Sequence, residues 1–307
     1  MVLTLPLILK ILAVLILIGA TLYIHYRGKA RYPFLRQMFD HSTFMAPINT
    51  MMYAFSSVPK TPYLPVKTIP ALQQIKDNWE TIKQEALTLE SSKLIKGSDK
   101  YNDIGFNSFF RRGWKRFYLK WYNNFHPSAL EHCPETIKLL QSMPDIKAAM
   151  FVVLPAGSYL PVHRDPYAGS LRYHLGLITP NSDDCKIVVD GEAYSWRDGE
   201  DVLFDETYIH YAENKTDKDR LIFFCDVARP MRSRIGVYLN NFFSWLILAS
   251  AESPNLPTDR TGGLNKIFGY VYHIRIVGKK LKERNKTLYY ISKYAIFIAV
   301  AYLIFFL

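Results

Sequence analysis

The chain has 307 residues, 49% hydrophobic and 21% charged, a composition that fits one or two globular domains and excludes a disordered or collagen-like chain. Its 38 lysines and arginines exceed its 27 aspartates and glutamates, giving a net charge of +11, yet between Gln37 and Asn265 the counts are 25 and 26. The surplus sits at the two ends, which argues against nucleic acid as a partner, since a nucleic-acid-binding domain spreads its basic residues over one folded face.

The first element in chain order is an apolar run from Leu3 to Tyr26, about 24 residues interrupted by Lys10, where roughly 20 suffice to span a bilayer as a helix. The last is Leu288 to Leu307, 20 residues with Lys293 close enough to one end for its long side chain to snorkel. A cleaved signal peptide and a buried core helix are the competing explanations for the two runs. Against them, Arg27, Lys29 and Arg31 follow the first run, and Lys279, Lys280, Lys282, Arg284 and Lys286 precede the second. Basic flanks select the cytoplasmic side. The expectation is therefore two transmembrane anchors, residues 1–26 and 287–307, with everything between them in the cytoplasm of a bacterial cell, against its inner membrane. Cys133, Cys185 and Cys225 are odd in number and lack metal-ligand spacing, as expected of reduced thiols that serve packing.

Residues 27–70 form a juxtamembrane segment whose Asp40 to Pro70 portion is rich in Pro, Ser, Thr and Met and reads as irregular. From Ala71 to Leu94 the positions Leu72, Ile75, Trp79, Ile82, Ala86 and Leu89 recur at helical spacing, which predicts one amphipathic helix. A short helix is expected over Glu135 to Gln141. The pattern then turns to β runs: Met150 to Leu154, Leu171 to Thr179, Lys186 to Asp190, Ala193 to Trp196, Asp201 to Phe204 and Leu221 to Val227. Asp190-Gly191 between two of them signals a tight hairpin, because such a turn needs positive φ. Short strands without intervening helices predict an antiparallel sandwich or barrel of the jelly-roll kind. This places a mainly β domain with helical flanks over residues 71–235, followed by an interfacial, basic region over 236–286. Within that region Ile235 to Ala249, preceded by Arg229 to Arg234, could lie in a membrane plane.

The chemistry concentrates in the β region. In Pro161-Val162-His163-Arg164-Asp165 an imidazole and a carboxylate are two residues apart, so on extended backbone both project to one face. His210 follows 47 residues later. Two His and one carboxylate, leaving the opposite coordination positions open, is the ligand set of non-haem Fe(II) oxygenases. Surface His and Asp in a loop, a non-catalytic binding module, or a zinc hydrolase using the same three residues fit this spacing too. Arg220 narrows the choice: it begins the apolar run Leu221-Ile222-Phe223-Phe224, where a guanidinium points inward only toward an anion, and the distal carboxylate of 2-oxoglutarate is such an anion. A zinc hydrolase has no use for it.

The stretch HRDPYAGSLRYHLG from His163 to Gly176, with Phe204-Asp205, His210 and Arg220-Leu221-Ile222, resembles the aspartyl/asparaginyl β-hydroxylase family of Fe(II)- and 2-oxoglutarate-dependent dioxygenases. Within it, the similarity is strongest to the bacterial branch that places a 2-hydroxyl on an acyl chain of lipid A, and it extends to the terminal anchors and to GFNSFFRRGWKRFYLKWY from Gly105. The resemblance implies a double-stranded β-helix, cupin-like, between the anchors. It also implies His163, Asp165 and His210 as iron ligands, O₂ and 2-oxoglutarate as co-substrates, and Arg220 as the co-substrate clamp. Arg172 and His174 match positions near the co-substrate carboxylates. Animal members that act on proteins lack a carboxylate ligand where this chain has Asp165.

Fold and iron site do not fix the substrate. Phe109 to Tyr122 interleaves Arg111, Arg112, Lys115, Arg116 and Lys120 with Phe109, Phe110, Trp114, Phe117, Tyr118, Trp121 and Tyr122. Aromatics favour the membrane interface and basic residues favour anionic headgroups, so this run is expected to meet a phosphorylated lipid. A solvated amphipathic element is the plainer explanation. The expected activity is hydroxylation of lipid A at the membrane, with hydroxylation of Asp or Asn in a protein as the alternative.

Overall fold

The computed structural model describes residues 5–98, 103–122 and 124–306. In chain order the elements are α1 (Leu5–Tyr26), α2 (Phe34–Met38), α3 (His41–Phe55), β1 (Tyr63–Leu64), α4 (Gln73–Asp77), α5 (Trp79–Ser91), α6 (Asn107–Phe110), β2 (Lys115–Trp121) and β3 (Asn124–Phe125). Next come α7 (Pro127–His132), α8 (Pro134–Gln141), β4 (Ile146–Leu154), β5 (Tyr159–His163), β6 (Ser170–Ile178), β7 (Cys185–Val189), β8 (Glu192–Ser195), β9 (Asp201–Phe204), β10 (His210–Asn214) and β11 (Arg220–Ala228). Three helices close the chain: α9 (Arg234–Ile247), α10 (Gly263–Arg284) and α11 (Lys286–Phe306).

Among the described residues the strands form two antiparallel sheets, one ordered β1-β9-β6-β11-β4-β2-β3 and one ordered β5-β10-β7-β8. This is the expected jelly-roll architecture. Side-chain alternation assigns each face of the large sheet to a different core. Leu221, Phe223, Cys225 and Val227 of β11, with Leu175 of β6 and Phe151 of β4, pack under α4, α5 and α8 through Ile75, Ile82 and Leu140. The intervening residues Ile222 and Phe224 face the small sheet, packing with Ile187, Val189 and Ala212. Asp190-Gly191 forms the predicted hairpin turn, with φ of 53° and 88°, and all three cysteines are buried and free.

Three expectations are corrected. Residues 40–70 are not irregular throughout: His41–Phe55 is a full helix, α3, started by Asp40, whose side chain accepts from the Ser42 amide, and it buries Ala46, Met52 and Tyr53 against α1. The helix expected over 71–94 breaks at Asn78, between α4 and α5. At the break Trp79 donates its indole N–H to the Gly176 carbonyl at 2.7 Å, which also accepts from the Gly199 amide at 2.9 Å. The basic, aromatic run 109–122 is not a headgroup surface but largely core: β2 is an inner strand between β4 and β3. Arg116 is buried there because Asp103 neutralises it at 3.1 Å and Ser253 and the Pro254 carbonyl accept from it. Arg111 and Arg112 alone among its basic residues are exposed.

Leu5–Tyr26 is, among the described residues, the one helix long and apolar enough to cross a membrane, with mean hydropathy 2.6 and most of its surface outward. The second expected span is helical over Lys286–Phe306, although several of its side chains fall outside the described residues.

Candidate metal centre

His163 ends β5, His210 opens β10, and the two are direct cross-strand partners, so their rings lie 4.2 Å apart between centroids. Alternation turns Arg164 the other way, and Asp165 returns to the histidine side, its Oδ1 3.6 Å from Nε2 of His163. The candidate ligand atoms of His163, Asp165 and His210 all fall within 4.8 Å of one another. Neighbouring ligands about 2.1 Å from an ion are about 3 Å apart, so a small inward shift suffices to close around one.

The hydrogen bonds around the rings suit that role. Nδ1 of His163 lies 2.7 Å from the Pro161 carbonyl, and Nδ1 of His210 lies 2.9 Å from that of Tyr208. Each carbonyl fixes the proton on Nδ1 and leaves the Nε2 lone pair for a metal. Burial holds His163 below its ordinary pKa and pushes His210 down to about 3, the latter helped by the neighbouring His163, so both rings are neutral near pH 7. Burial is the largest single influence on Asp165 and opposes its charge, but Arg172 and the other polar neighbours together overcome it, and the carboxyl stays well below its usual range.

Arg172 sits on β6 and faces inward with His174 and, from β11, Arg220. Its Nη2 donates to Oδ2 of Asp165 at 2.9 Å and its Nε to Oδ1 of Asp226 at 2.8 Å, and it also ion-pairs with Glu206. Burial raises the pKa of both Glu206 and Asp226. His174 stacks on Phe224 at 5.0 Å with neither ring nitrogen hydrogen-bonded. Burial, then Arg172 and Arg220, holds it far below its ordinary pKa.

Arg220 is the unusual member. It is buried, its guanidinium stands 4.2 Å over the Trp196 ring, and among the described residues no carboxylate lies within ion-pair distance. Its Nε has no hydrogen-bond partner, and burial pushes its pKa down to about 10. An isolated buried cation is costly unless an anion joins it. One cavity contains all six expected residues, His163, Asp165, His210, Arg172, His174 and Arg220, and its apolar wall is made by Phe106, Phe109 and Trp114. Phe109 meets the His163 ring edge-on at 5.0 Å.

The sequence reading missed Trp196, Asp226 and Glu206. Asp226 was within reach of it: six residues beyond Arg220 on one strand, it shares that residue's inward face.

Residues 76–230 match the family model for aspartyl/asparaginyl beta-hydroxylase. The chain belongs to this family. A Rhizobium tropici ornithine lipid ester-linked acyl 2-hydroxylase is 32% identical over 63% of this chain and 68% of its own length. The human aspartyl/asparaginyl beta-hydroxylase is 26% identical over 52% of this chain, which spans only 21% of that protein. Among solved structures, a Pseudomonas putida prolyl-4-hydroxylase aligns with 61% of this chain and 100% of its own at TM-score 0.34 and 13% identity, a likeness too low to bear on the site.

Proposed function

We propose that this hydroxylase uses Fe(II), 2-oxoglutarate and O₂ to place a hydroxyl at the 2-position of an acyl chain of lipid A, on the cytoplasmic face of the inner membrane. The observation that carries the co-substrate assignment is Arg220: a buried guanidinium with no carboxylate in ion-pair range among the described residues, in the same cavity as a His-Asp-His cluster. When bound, iron and 2-oxoglutarate supply oxidising chemistry in which O₂, the keto acid and a C–H bond become succinate, CO₂ and an alcohol. The protein's own part follows from the geometry. His163 and His210 present neutral Nε2 atoms, and Asp165 supplies the negative ligand while its second oxygen is held by Arg172. Arg220 would pair with the distal carboxylate of the keto acid. Phe106, Phe109 and Trp114 keep water from the reacting carbon and offer an alkyl chain apolar contact.

A lipid substrate is supported by the outward-facing apolar α1, with Arg27, Lys29 and Arg31 after it, and by the lipid named for the Rhizobium relative. That relative favours a second reading, an ornithine lipid substrate. Basic flanks at both ends of the chain support two anchors with the β domain in the cytoplasm. Purified full-length protein supplied with Fe(II) and labelled 2-oxoglutarate should release succinate in proportion to added lipid. Offering lipid A, ornithine lipid and an Asp/Asn-containing peptide separately identifies the substrate. Release that responds to the peptide alone contradicts the lipid reading.

A further inference from the structure

Two surface helices are polar on the wrong side for a protein in water. In α9 the buried residues are Gly236, Asn240 and Ser244, flanked by the half-buried Leu239, Phe243 and Ile247, with Asn240 accepting from the Tyr167 hydroxyl at 2.6 Å and donating to the Gly169 carbonyl. The outward residues are Ile235, Tyr238, Phe242, Trp245 and Leu246, with Tyr238 71% exposed. In α2 the inward residue is Gln37, while Phe34, Leu35 and Met38, and Phe39 just past its end, face out, Leu35 also at 71%. A helix on a water-facing surface shows the reverse pattern, and clustered exposed aromatics and leucines mark a surface that something apolar covers.

Both helices are held at the domain end of α1. Leu239, Phe243 and Ile247 of α9 join the cluster containing Ala20 and Ile24 of α1. On the α2 side, Arg164 donates both to the Ile24 carbonyl and to Gln37, each at 3.3 Å. If α1 spans the bilayer, its last turns, just before Arg27, lie at the membrane surface, and so do the helices packed on them. Arg232 and Arg234 stand exposed at the start of α9. Cations at a helix N-terminus oppose its dipole, an arrangement that anionic headgroups relieve.

We infer that α2 and α9 lie in the plane of the bilayer that α1 crosses, with their apolar faces buried at the boundary between headgroups and acyl chains. The inference rests on the membrane-lipid reading above and deepens it by giving the route of the substrate. Arg36 of α2 donates to the Val162 carbonyl at 3.0 Å, next to the ligand His163. The strand end that carries His163 is thereby tied to a membrane-embedded helix, which brings the metal cavity close to the leaflet that would supply an acyl chain.

The test uses the full chain in vesicles of phosphatidylethanolamine and phosphatidylglycerol. A single cysteine is placed at Leu35→Cys, Trp245→Cys or, as a control on the far side of the large sheet, Lys138→Cys, and is labelled with an environment-sensitive dye; the native thiols are buried. The inference predicts that lipid spin labels near the headgroup quench Leu35→Cys and Trp245→Cys severalfold more than Lys138→Cys, and that aqueous iodide quenches them less. Iodide quenching at the control level at either site overturns it. A separate lipid-hydroxylation assay on the same vesicles keeps the two readings apart. Hydroxylation with water-exposed labels sinks the docking and leaves the activity standing, whereas embedded labels without lipid product do the opposite.

Discussion

Arg172 holds Oδ2 of Asp165 at 2.9 Å while Oδ1 of the same carboxylate lies 3.6 Å from Nε2 of His163. One oxygen of Asp165 is thus committed to a guanidinium and the other is turned to the place where both histidines present their lone pairs. Arg172 is in this sense a positioning residue for the third ligand, whatever it also does for a keto acid.

Arg172→Ala should therefore weaken metal binding without touching a ligand. It also leaves Asp226 and Glu206 buried beside no cation, and breaking such a buried pair costs about 3–5 kcal/mol. Arg172→Lys should recover little, because a point charge cannot serve Asp165 and Asp226 from two separate nitrogens. Calorimetric Fe(II) titration under anaerobic conditions, with thermal melting of the same samples, checks both effects. Wild-type affinity in Arg172→Ala would remove the positioning role.

Each of the three candidate ligands can be removed singly. His163→Ala and His210→Ala should each abolish iron binding and turnover. Asp165→Ala should do the same here, because its charge offsets part of the metal's. Full turnover by Asp165→Ala, measured as succinate release, would show that two histidines suffice.

Arg220 should be a liability in the empty protein. Its pKa is pushed from its ordinary value down to about 10 by burial, so the unfolded chain holds the proton more tightly. The charge therefore destabilises the fold below about pH 10, and the penalty fades as pH rises from about 10 toward the ordinary arginine range. Arg220→Met should raise the stability of the empty protein by about 1–4 kcal/mol at neutral pH, with the gain shrinking above pH 10. The same substitution should lose the stabilisation that 2-oxoglutarate gives the wild type. Arg220→Ala should weaken 2-oxoglutarate binding by roughly 10²–10⁴. Melting curves with and without the keto acid test all of this; a variant less stable than wild type when empty would contradict the orphaned-cation reading.

Asp205 ties the anchor to the β domain. It pairs with Arg229 at 2.8 Å and with Arg27, just past α1, at 3.5 Å. Burial raises its pKa, but Arg229 and then Arg27 prevail and hold it at about 2. A folded pKa below the unfolded one gives stability that is present above about pH 3.8 and lost as pH falls from there toward 2. Asp205→Asn should cost about 3–5 kcal/mol at pH 7 and flatten the acid limb of the stability curve over that window. An unchanged acid limb would show that the tie contributes nothing.

The sequence made the inward chemistry legible because strand alternation is a strict code. His163 with Asp165 across Arg164 was visible as a same-face pair, Arg172 and His174 came only through the family resemblance, and Asp190-Gly191 announced its turn. What escaped depends on partners far along the chain. β2 reads as a basic surface until Asp103 and Ser253 are seen to neutralise Arg116. β5 is an edge strand, half exposed and carrying Pro161, so it shows no apolar pattern. The inward polar stripe of α9 was invisible because Ile235 to Ala249 is apolar enough to mask Asn240 and Ser244, and α3 was obscured by Pro47 and a Ser, Thr and Met composition usual in loops.

The proposed reaction is oxygen transfer from O₂ to a lipid acyl chain at the His163, Asp165 and His210 centre. It is tested most directly by incubating the purified full-length protein with Fe(II), 2-oxoglutarate and lipid A under ¹⁸O₂ and weighing the lipid. The account predicts one ¹⁸O atom added to an acyl chain, at its 2-position, with one succinate per lipid, and neither product from His210→Ala. Lipid of unchanged mass while succinate accumulates against a peptide or with no acceptor, or a product whose oxygen comes from water, would contradict it.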